Sequence, residues 1–336
     1  MAYNATLEQL LDPKYRVKEL EVLVDGDIYA HRAASVTDGR MYSVEGNLFK
    51  YIKDAQAYCK KLSLPTDLLE VSYQPEPFKH CSASIKQMIN SITEALRHKA
   101  KELNFTYYLT TKQNFRANIL DHYKWNRLGV NEVIRLCGGD EEKARAILRM
   151  TPATFEKNKG VVPRKPEHLD KIKGFLKKHY GATEEPPYEA DDLIGMRATY
   201  LQSIDKPFVI VSIDKDLNCI PGCHYNSIHD EIYEVTEEES LYNFYKQCLT
   251  GDETDNIPGI KGVGPKTAEK LLSGAEQSHP GLYEPVLAKW EDHVGEPTEA
   301  QEALRKSAQA LWILRKWDGD LESKLWQPPE LTKELI

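Results

Sequence analysis

The chain has 336 residues, enough for one large domain or two small ones with a substantial core. It contains no apolar run long enough to span a bilayer, and its first residues lack the regions of a signal peptide, so we expect a cytoplasmic protein without a membrane partner. The net charge is −8, yet residues 112–178 hold 16 Lys and Arg against 8 Asp and Glu. A basic middle beside an acidic remainder suits a phosphate-binding patch next to a carboxylate cluster, although a solvated charged face would have the same composition.

The six cysteines follow no regular spacing, and we expect them to be reduced thiols. Cys219, Cys223 and His224 could begin a zinc site, but no second pair at a suitable spacing completes four ligands. The sequence therefore predicts neither a disulfide framework nor a zinc centre.

Three segments are predicted to be buried strands. Residues 21–25 form the first, with Asp27 as the N-cap of the helix that follows; residues 105–110 form the second and residues 207–213 the third. Functional groups collect beyond the carboxyl ends of parallel strands, which makes Asp25 well placed for chemistry. The predicted fold class is α/β, with a central, mostly parallel sheet flanked by helices. Helices are predicted at 44–64, 82–103, 140–150 (N-cap Asp140), 164–180, 237–249 and from 265, with a small strand at 232–235 and helices after 274.

Acidic residues recur at the ends of these elements. Glu189, Asp191 and Asp192 fall on one predicted helical turn, where a favourable helix dipole would explain one or two of them but less readily all three. So many carboxylates in one pocket would repel one another without cations, and all-oxygen ligands suit Mg²⁺ or Mn²⁺ rather than zinc. The eight candidate metal ligands are Asp25, Glu189, Asp191, Asp192, Asp214, Asp216, Asp252 and Asp255.

A glycine-punctuated loop, residues 259–264, leads into a helix that opens at Pro265. Proline suits the first helical position, because its missing N–H would have no partner there. The glycines let a ligand approach the backbone, and the helix N-terminus offers N–H groups to an anion. One such loop is weak evidence alone, but here it directly follows the paired acids Asp252 and Asp255.

Together, residues 251–264 resemble the helix–three-turn–helix segment of the 5′ nuclease superfamily, the flap endonucleases and 5′→3′ exonucleases. Phe115-Arg116 and Tyr123-Lys-Trp-Asn-Arg127 resemble the base of that family's helical arch, and Glu189-Ala-Asp-Asp192 resembles one of its acidic motifs. The similarity covers roughly residues 20–275 and is greatest to the stand-alone 5′ exonucleases of bacteriophages. It implies a nuclease core at 1–235 with a helical arch insertion at about 112–165, and a helical region at 236–336 with the helix–three-turn–helix DNA-binding segment at about 249–272.

The resemblance also implies roles for individual residues. Asp25, Glu189, Asp191 and Asp192 would serve mainly one of two Mg²⁺ or Mn²⁺ ions, and the other four acids the second ion. Lys124, Arg127 and Arg116 would be catalytic. The residues implied to hold duplex DNA are Gly259, Lys261, Gly262, Gly264, Lys266 and Thr267, and the family often adds a K⁺ ion at this loop.

One position departs from the family pattern. Relatives carry an aspartate just past the second strand, where this chain has Thr110 and Thr111. A threonine supplies a neutral oxygen in place of a carboxylate, which weakens the case for full occupancy of one metal site.

The resemblance implies a metal-dependent 5′→3′ exonuclease with flap endonuclease or ribonuclease H activity in replication or recombination. Its partners would be DNA with 5′ ends or flaps, or an RNA–DNA hybrid, bound by a monomer in the cytoplasm, the host's if a phage encodes it. A second interpretation is a DNA-structure-binding protein of the same fold with impaired catalysis, which the two threonines keep open. A third is a metal-dependent ribonuclease, against which the glycine loop argues.

Overall fold

The computed structural model describes residues 16–161 and 163–330, together with Leu10 and Asp12. The strands are β1 (Val17–Asp25), β2 (Arg40–Val44), β3 (Asn47–Phe49), β4 (Glu70–Tyr73), β5 (Ala100–Tyr108), β6 (Phe208–Val211), β7 (Gly222–Asn226) and β8 (Glu231–Val235). The helices are α1 (Gly26–Val36), α2 (Ile52–Lys61), α3 (Phe78–Leu96), α4 (Arg116–Ile119), α5 (Val130–Leu136), α6 (Glu141–Ile147), α7 (Pro152–Asn158), α8 (Leu169–Tyr180), α9 (Ala190–Ser203), α10 (Glu237–Thr250), α11 (Pro265–Leu272), α12 (His279–Val294), α13 (Pro297–Leu311) and α14 (Leu321–Lys324).

The main sheet has the order β5-β1-β6-β7-β8. Its first four strands are parallel and β8 is antiparallel to β7, so the predicted α/β class with a mostly parallel sheet is confirmed. The centre of the sheet is apolar and buried on both faces, as at Val22 and Ile210, because helices cover both sides. Asp25 pairs with Tyr108 and Val24 with Val211, so β1, β5 and β6 end at one carboxyl edge.

Residues 37–77 form an insertion that the sequence did not predict correctly. The expected helix over 44–64 begins only at Ile52, and the preceding residues form the hairpin β2–β3. Glu45 and Gly46 both have positive φ, 48° and 77°, which is the requirement of a tight two-residue hairpin turn. Strand β4 completes a second, antiparallel sheet of order β3-β2-β4. Buried Tyr42 and Val44 alternate with less buried neighbours, a strand period that the helical interpretation overlooked.

Other predicted boundaries also change: α6 ends at Ile147 rather than at 150, and β5 covers residues 100–108 rather than 105–110. Asp25, not Asp27, caps α1 by accepting a hydrogen bond from the Ile28 amide at 3.1 Å. Helix α3 ends at Leu96, and Leu103 belongs to β5 instead. Helix α8 begins at Leu169 rather than near residue 164, because the preceding residues are occupied in contacts with the insertion, including an ion pair between Arg164 and Asp38. The caps at Asp140 and the helix start at Pro265 are confirmed.

Residues 112–165 contain α4 to α7. Helices α5, α6 and α7 share a small hydrophobic core of Val130, Val133, Ala144, Leu148 and Phe155, separate from the two larger cores. Within residues 16–161 and 163–330, no helix has both the length and the apolar character needed to cross a bilayer.

The C-terminal helices α10 to α13 share a hydrophobic core with α9 and one face of the main sheet. One continuous core includes Leu23 and Ile210 from the sheet, Leu193 from α9, Phe244 from α10 and Leu304 from α13. The proposed division near residue 235 therefore crosses a shared core, and it stays a prediction.

Candidate active site

The candidate acids lie at the carboxyl edge of the main sheet and on the helices above it. Asp25 ends β1, Asp214 and Asp216 follow β6, and Glu189 and Asp191 stand at the start of α9. The loop after α10 adds Asp252 and Asp255. A small cavity of about 40 Å³ is lined by five of these acids together with Arg116, Tyr123 and Gln247. The five are Glu189, Asp191, Asp216, Asp252 and Asp255.

A chain of hydrogen bonds fixes the acids that follow β1 and β6. The Ser212 hydroxyl donates to Asp25 Oδ2 and accepts from the Asp214 amide, both at 3.0 Å. Asp214 Oδ1 accepts from the Asp216 amide at 3.0 Å, and Gln247 Nε2 donates to Asp216 Oδ1 at 2.6 Å. Buried Asp25 is therefore tied to Asp216 through backbone and side-chain contacts that hold both carboxylates in place.

The segment after α4 places two cations against Glu189 and Asp255. Lys124 forms an ion pair with Glu189 and lies 3.3 Å from Asp255 Oδ2, while Arg127 pairs with Asp255 Oδ1. Tyr123 places its hydroxyl 2.9 Å from Glu189 and 2.8 Å from Asp255. Because a phenol has one proton, it donates to one of these carboxylates at a time. Lys124 and Tyr123 thus bridge carboxylates from two separate segments.

Asp192 and Arg116 form a buried ion pair next to Glu189. Asp192 is fully buried and its oxygens accept four hydrogen bonds, two from Arg116 at 2.7 and 2.8 Å and two from the amides of Glu189 and Leu314. Arg116, 3% exposed, also donates to the carbonyls of Ala310 and Trp312. The Asp192 carboxylate thus accepts a full set of hydrogen bonds, whereas Arg116 keeps one N–H, on the Nη1 atom that lies 3.4 Å from Glu189 Oε2. These contacts point to a structural role for Asp192 at the start of α9, and the ligand role of Asp192 and the catalytic role of Arg116 stay predictions.

The pKa values of several acids are raised. Burial, followed by the charge of neighbouring carboxylates, raises the pKa of Asp25 and of Asp216 to about 7. The same two causes raise the pKa values of Asp191 and Asp252. Burial opposes ionisation of Glu189 as well, but Arg116 and Lys124 outweigh it and lower the pKa of that carboxyl to about 2. The site holds more negative charge than its own cations neutralise, which favours binding of additional cations.

The fit to a metal is chemical rather than preformed. Among residues 16–161 and 163–330, no three His, Cys, Asp or Glu side chains stand close enough to hold an ion as they are arranged. Glu189 and Asp255 instead face Lys124, which satisfies them electrostatically. The all-oxygen donor set and the raised pKa values suit a hard divalent cation. Binding would require these side chains to turn from the lysine towards the ion.

The threonines that replace the expected aspartate differ in position. Thr110 accepts a hydrogen bond from the Ala190 amide at 3.0 Å, directly beside Glu189 and Asp191, and its own amide donates to Asp27 at 2.9 Å. Thr111 turns its hydroxyl to the Gln113 carbonyl at 2.8 Å. Thr110 is therefore the nearer of the two to the start of α9.

The glycines of the predicted phosphate loop serve two different purposes. A Cβ on Gly259 would overlap the backbone of Thr250 and Gly251, so this glycine allows the two ends of the 251–259 loop to touch. The contact is reinforced by paired backbone hydrogen bonds between Asp252 and Ile257 at 3.1 and 2.8 Å. Gly259 therefore shapes the loop that presents Asp255, and its predicted role in contacting DNA stays a prediction.

Further along, the surface is open. Gly262 has φ of 84°, and neither it nor Gly264 has any atom within 4 Å of a Cβ placed on it. Lys261, Lys266 and Thr267 are exposed around the start of α11. These five residues form a polar surface of the kind that an anion could approach, and their role stays a prediction.

Sequence reasoning missed Ser212, Gln247 and the hydroxyl of Tyr123. Ser212 and Gln247 hold candidate ligands, and Tyr123 bridges two of them. Ser212 lies two residues before Asp214 and directly after β6, so its place at a strand's carboxyl end was a usable signal. Gln247 gave no such signal, because only the fold brings α10 beside Asp216.

Comparison with known proteins gives three informative sequence relatives. The chain is 36% identical over 115 residues to flap endonuclease Xni of Shewanella piezotolerans, covering 31% of this chain and 44% of that protein. It is 32% identical over 164 residues to a 5′-3′ exonuclease of Aquifex aeolicus, covering 45% and 54%. It is 33% identical over 128 residues to the thermostable DNA polymerase I of Thermus aquaticus, covering 32% and 15%. The matched segments thus span at most about half of these relatives, and no protein-family model matches the chain.

A solved structure shares the fold over most of the chain. It is the bacteriophage T5 D15 flap endonuclease in a pseudo-enzyme-product complex with DNA and metal ions, with a TM-score of 0.50 and 15% identity over 88% of this chain and 89% of the other. At this identity the likeness concerns the fold alone. The sequence matches confirm the resemblance to flap endonucleases and 5′-3′ exonucleases.

Proposed function

We propose that this chain, a relative of the flap endonucleases and 5′→3′ exonucleases, is a divalent-metal-dependent 5′→3′ exonuclease and flap endonuclease that hydrolyses phosphodiester bonds of DNA. The observation that carries the proposal is the cavity in which acids from α9, from the segment after β6 and from the loop after α10 meet beside Tyr123 and Lys124.

Two Mg²⁺ or Mn²⁺ ions would be held by Asp25, Glu189, Asp191, Asp214, Asp216, Asp252 and Asp255. Such ions supply a nucleophilic water and stabilise the charge on the reacting phosphate. Ser212 and Gln247 keep the carboxylates of Asp25 and Asp216 oriented, since each donates a hydrogen bond to one of them. Asp192 holds the start of α9 through its bond from the Glu189 amide, and so positions Glu189.

Lys124 and Arg127 would bind the scissile phosphate once the carboxylates that they now contact have rotated away to coordinate the metal ions. Both are charge-assisted donors that contact acids of the site. Donors placed at developing negative charge stabilise a transition state strongly. The surface formed by Lys261, Gly262, Gly264, Lys266 and Thr267 would hold a duplex phosphate backbone away from the cut, with a K⁺ ion at the loop.

The substrate would be DNA with a 5′ end or flap, and RNA in an RNA–DNA hybrid would also be cleaved. Residues 112–165 would form the arch over an unpaired 5′ end, because this segment is basic and has a core of its own. The protein would act as a monomer in the cytoplasm during replication or recombination.

A second candidate is a DNA-structure-binding protein with impaired catalysis. It is favoured by one specific observation: Thr110 supplies a neutral oxygen at the edge of the acidic site, and Lys124 already satisfies Glu189 and Asp255. Both candidates bind the same DNA, so cleavage decides between them.

The deciding experiment is digestion of 5′-labelled flap, nicked and blunt duplexes with and without Mg²⁺. We expect cleavage that chelation abolishes, and we expect Asp214→Ala and Asp191→Ala to lower turnover about 100-fold or more while DNA binding persists. Asp318→Ala, which removes an exposed acid, is the matched control. Cleavage in excess chelator would contradict the metal-dependent mechanism, and binding without cleavage at any Mg²⁺ concentration would establish the second candidate.

A further inference from the structure

The two segments that carry Tyr123 and Asp255 also line a second cleft. It has a volume of about 340 Å³ and is bounded by the residues after α4, the end of α6, the loop at 256–258 and α13. Its size falls within the range of pockets that bind small organic ligands, roughly 300–1,000 Å³. None of the predicted catalytic, metal-binding or DNA-binding residues lines it.

The rim of the cleft is positively charged. Arg149, at the end of α6, is exposed and makes no ion pair within the described part of the chain. Lys306, on α13, lies 3.5 Å from the exposed Glu302, a surface contact of little energetic weight. Asp121 is the one acid among the described lining residues, and His122 adds a titratable ring. Two cations on different walls against one acid favour an anionic ligand.

Apolar side chains lie between these cations. Ile119, Leu120 and Ile147 are each only partly buried, and Pro258 closes the same space. Partly exposed aliphatic groups in a concave site lose contact with water when a flat apolar surface covers them, which favours such a ligand. A ligand that offers both an anion and a flat ring therefore matches the lining better than either group alone.

We propose that this cleft binds one nucleotide unit, with its phosphate on Arg149 and Lys306 and its base against Ile147, Leu120 and Pro258. The unit could be a free nucleoside monophosphate or an unpaired nucleotide within DNA; the second source rests on the proposed function, and the first does not.

The position of the cleft gives such binding a consequence. Asn256 donates to the His122 carbonyl at 2.9 Å, and the Lys124 amide donates to the Asp255 carbonyl at 2.8 Å. These two hydrogen bonds join residues 119–124 to the loop at 255–258, and both of these stretches contribute residues to the cleft and to the acidic site. A nucleotide in the cleft would therefore hold Lys124 and Asp255 in their present relative positions.

The first test measures binding of deoxyadenosine 5′-monophosphate by calorimetry in EDTA. Without divalent cations the carboxylate cavity repels phosphate, and the surface formed by Lys261, Gly262, Gly264, Lys266 and Thr267 would bind nucleotide and inorganic phosphate alike, so a preference for the nucleotide reports the cleft. We expect one molecule to bind, at least about 10-fold more tightly than inorganic phosphate or deoxyadenosine, because only the nucleotide uses both parts of the lining. Arg149→Glu and Lys306→Glu should each weaken binding about 10-fold or more, and Lys157→Glu, an exposed lysine on neighbouring α7, should not. Equal affinity for nucleotide and phosphate, or no change in either variant, overturns the proposal.

The second test separates the two sources. A 5′-flap duplex in EDTA is given a single abasic position, moved one nucleotide at a time across the junction. If DNA supplies the nucleotide, one position should weaken binding to the wild type and have no effect in Ile147→Trp, which fills the cleft; thermal unfolding checks that this variant folds. If deoxyadenosine monophosphate binds but no abasic position matters, the ligand is the free nucleotide. Neither test uses cleavage, so failure of the proposed nuclease activity would be seen separately.

Discussion

Lys124 lies between Glu189 and Asp255, which come from two different elements. Its contribution to the rate of cleavage can be measured separately from its contribution to DNA binding. We expect Lys124→Ala to lower the single-turnover rate about 100-fold at saturating Mg²⁺, because the lost donor acts on charge that develops in the transition state. The dissociation constant for a 5′-flap duplex should change less than about threefold. Lys112→Ala removes an exposed lysine from the same region and serves as the control. A loss in affinity with an unchanged rate would reassign Lys124 to substrate positioning.

The raised pKa values of Asp25 and Asp216 lead to a pH-dependent response to metal. Both pKa values rise from 3.8 to about 7 in the folded, cation-free protein, so the folded state holds these protons more tightly than the unfolded chain does. Their contribution to stability is present below about pH 4 and is lost as the pH rises through about 7. Mg²⁺ replaces the protons and should therefore raise the melting temperature more at pH 8 than at pH 5.5.

Differential scanning calorimetry with and without Mg²⁺ measures this difference. Asp25→Asn keeps the cap of α1, since an asparagine side chain also accepts from the Ile28 amide, but removes the titrating group. It should reduce the difference between the two pH values. An Mg²⁺ effect of the same size at both pH values would mean that protons and metal do not compete at these acids.

At the scale of elements, the loop after α10 and the start of α11 have different predicted roles, the first in presenting acids to the metal site and the second in binding duplex DNA. The 251–259 loop closes on itself through Gly251 and Gly259, whereas the surface from Lys261 to Thr267 is open. We expect Lys261→Ala with Lys266→Ala to weaken duplex binding on every sequence and to reduce the slope of log affinity against log salt by up to about two. Turnover at saturating DNA should change little. Lys270→Ala, in the last turn of the same helix, is the control, and an unaltered salt slope would remove this surface from the DNA interface.

Elements with local signals could be predicted from the sequence, and elements defined by distant partners could not. The cap at Asp140 and the start at Pro265 depend on the residues themselves and on their immediate neighbours. The pairing of β2 with β4 brings Arg40 beside Tyr73, more than thirty residues away, which no local pattern specifies. Asp192 illustrates the same limit within the site, because its motif gave no sign of the hydrogen bonds from Arg116 and Leu314 that engage its carboxylate.

At the scale of the whole molecule, residues 310–315 cross α9 at Gly195, and their backbone groups bind Arg116 and Asp192. Gly195 permits the crossing, since a Cβ there would lie 2.5 Å from the Leu314 carbonyl and 2.7 Å from the Ile313 side chain. We expect Gly195→Ala to destabilise the protein by about 1–3 kcal/mol in urea unfolding. Gly174→Ala, on α8 with no atom within 4 Å, should instead stabilise it by about 0.4–1 kcal/mol. Equal effects of the two substitutions would show that the crossing is not tight.

The same crossing sets an order for synthesis. Arg116 and Asp192 leave the ribosome well before Ala310, Trp312 and Leu314, whose backbone groups complete their hydrogen bonds. Chains emerge at roughly 5–20 residues per second, so the pair waits several seconds for its last partners. During that interval Arg116 and Asp192 lack the backbone partners from residues 310–314, so the anchoring of the start of α9 is incomplete. A nascent chain would therefore become competent only after residues 310–314 have emerged, which delays activity until α13 has formed.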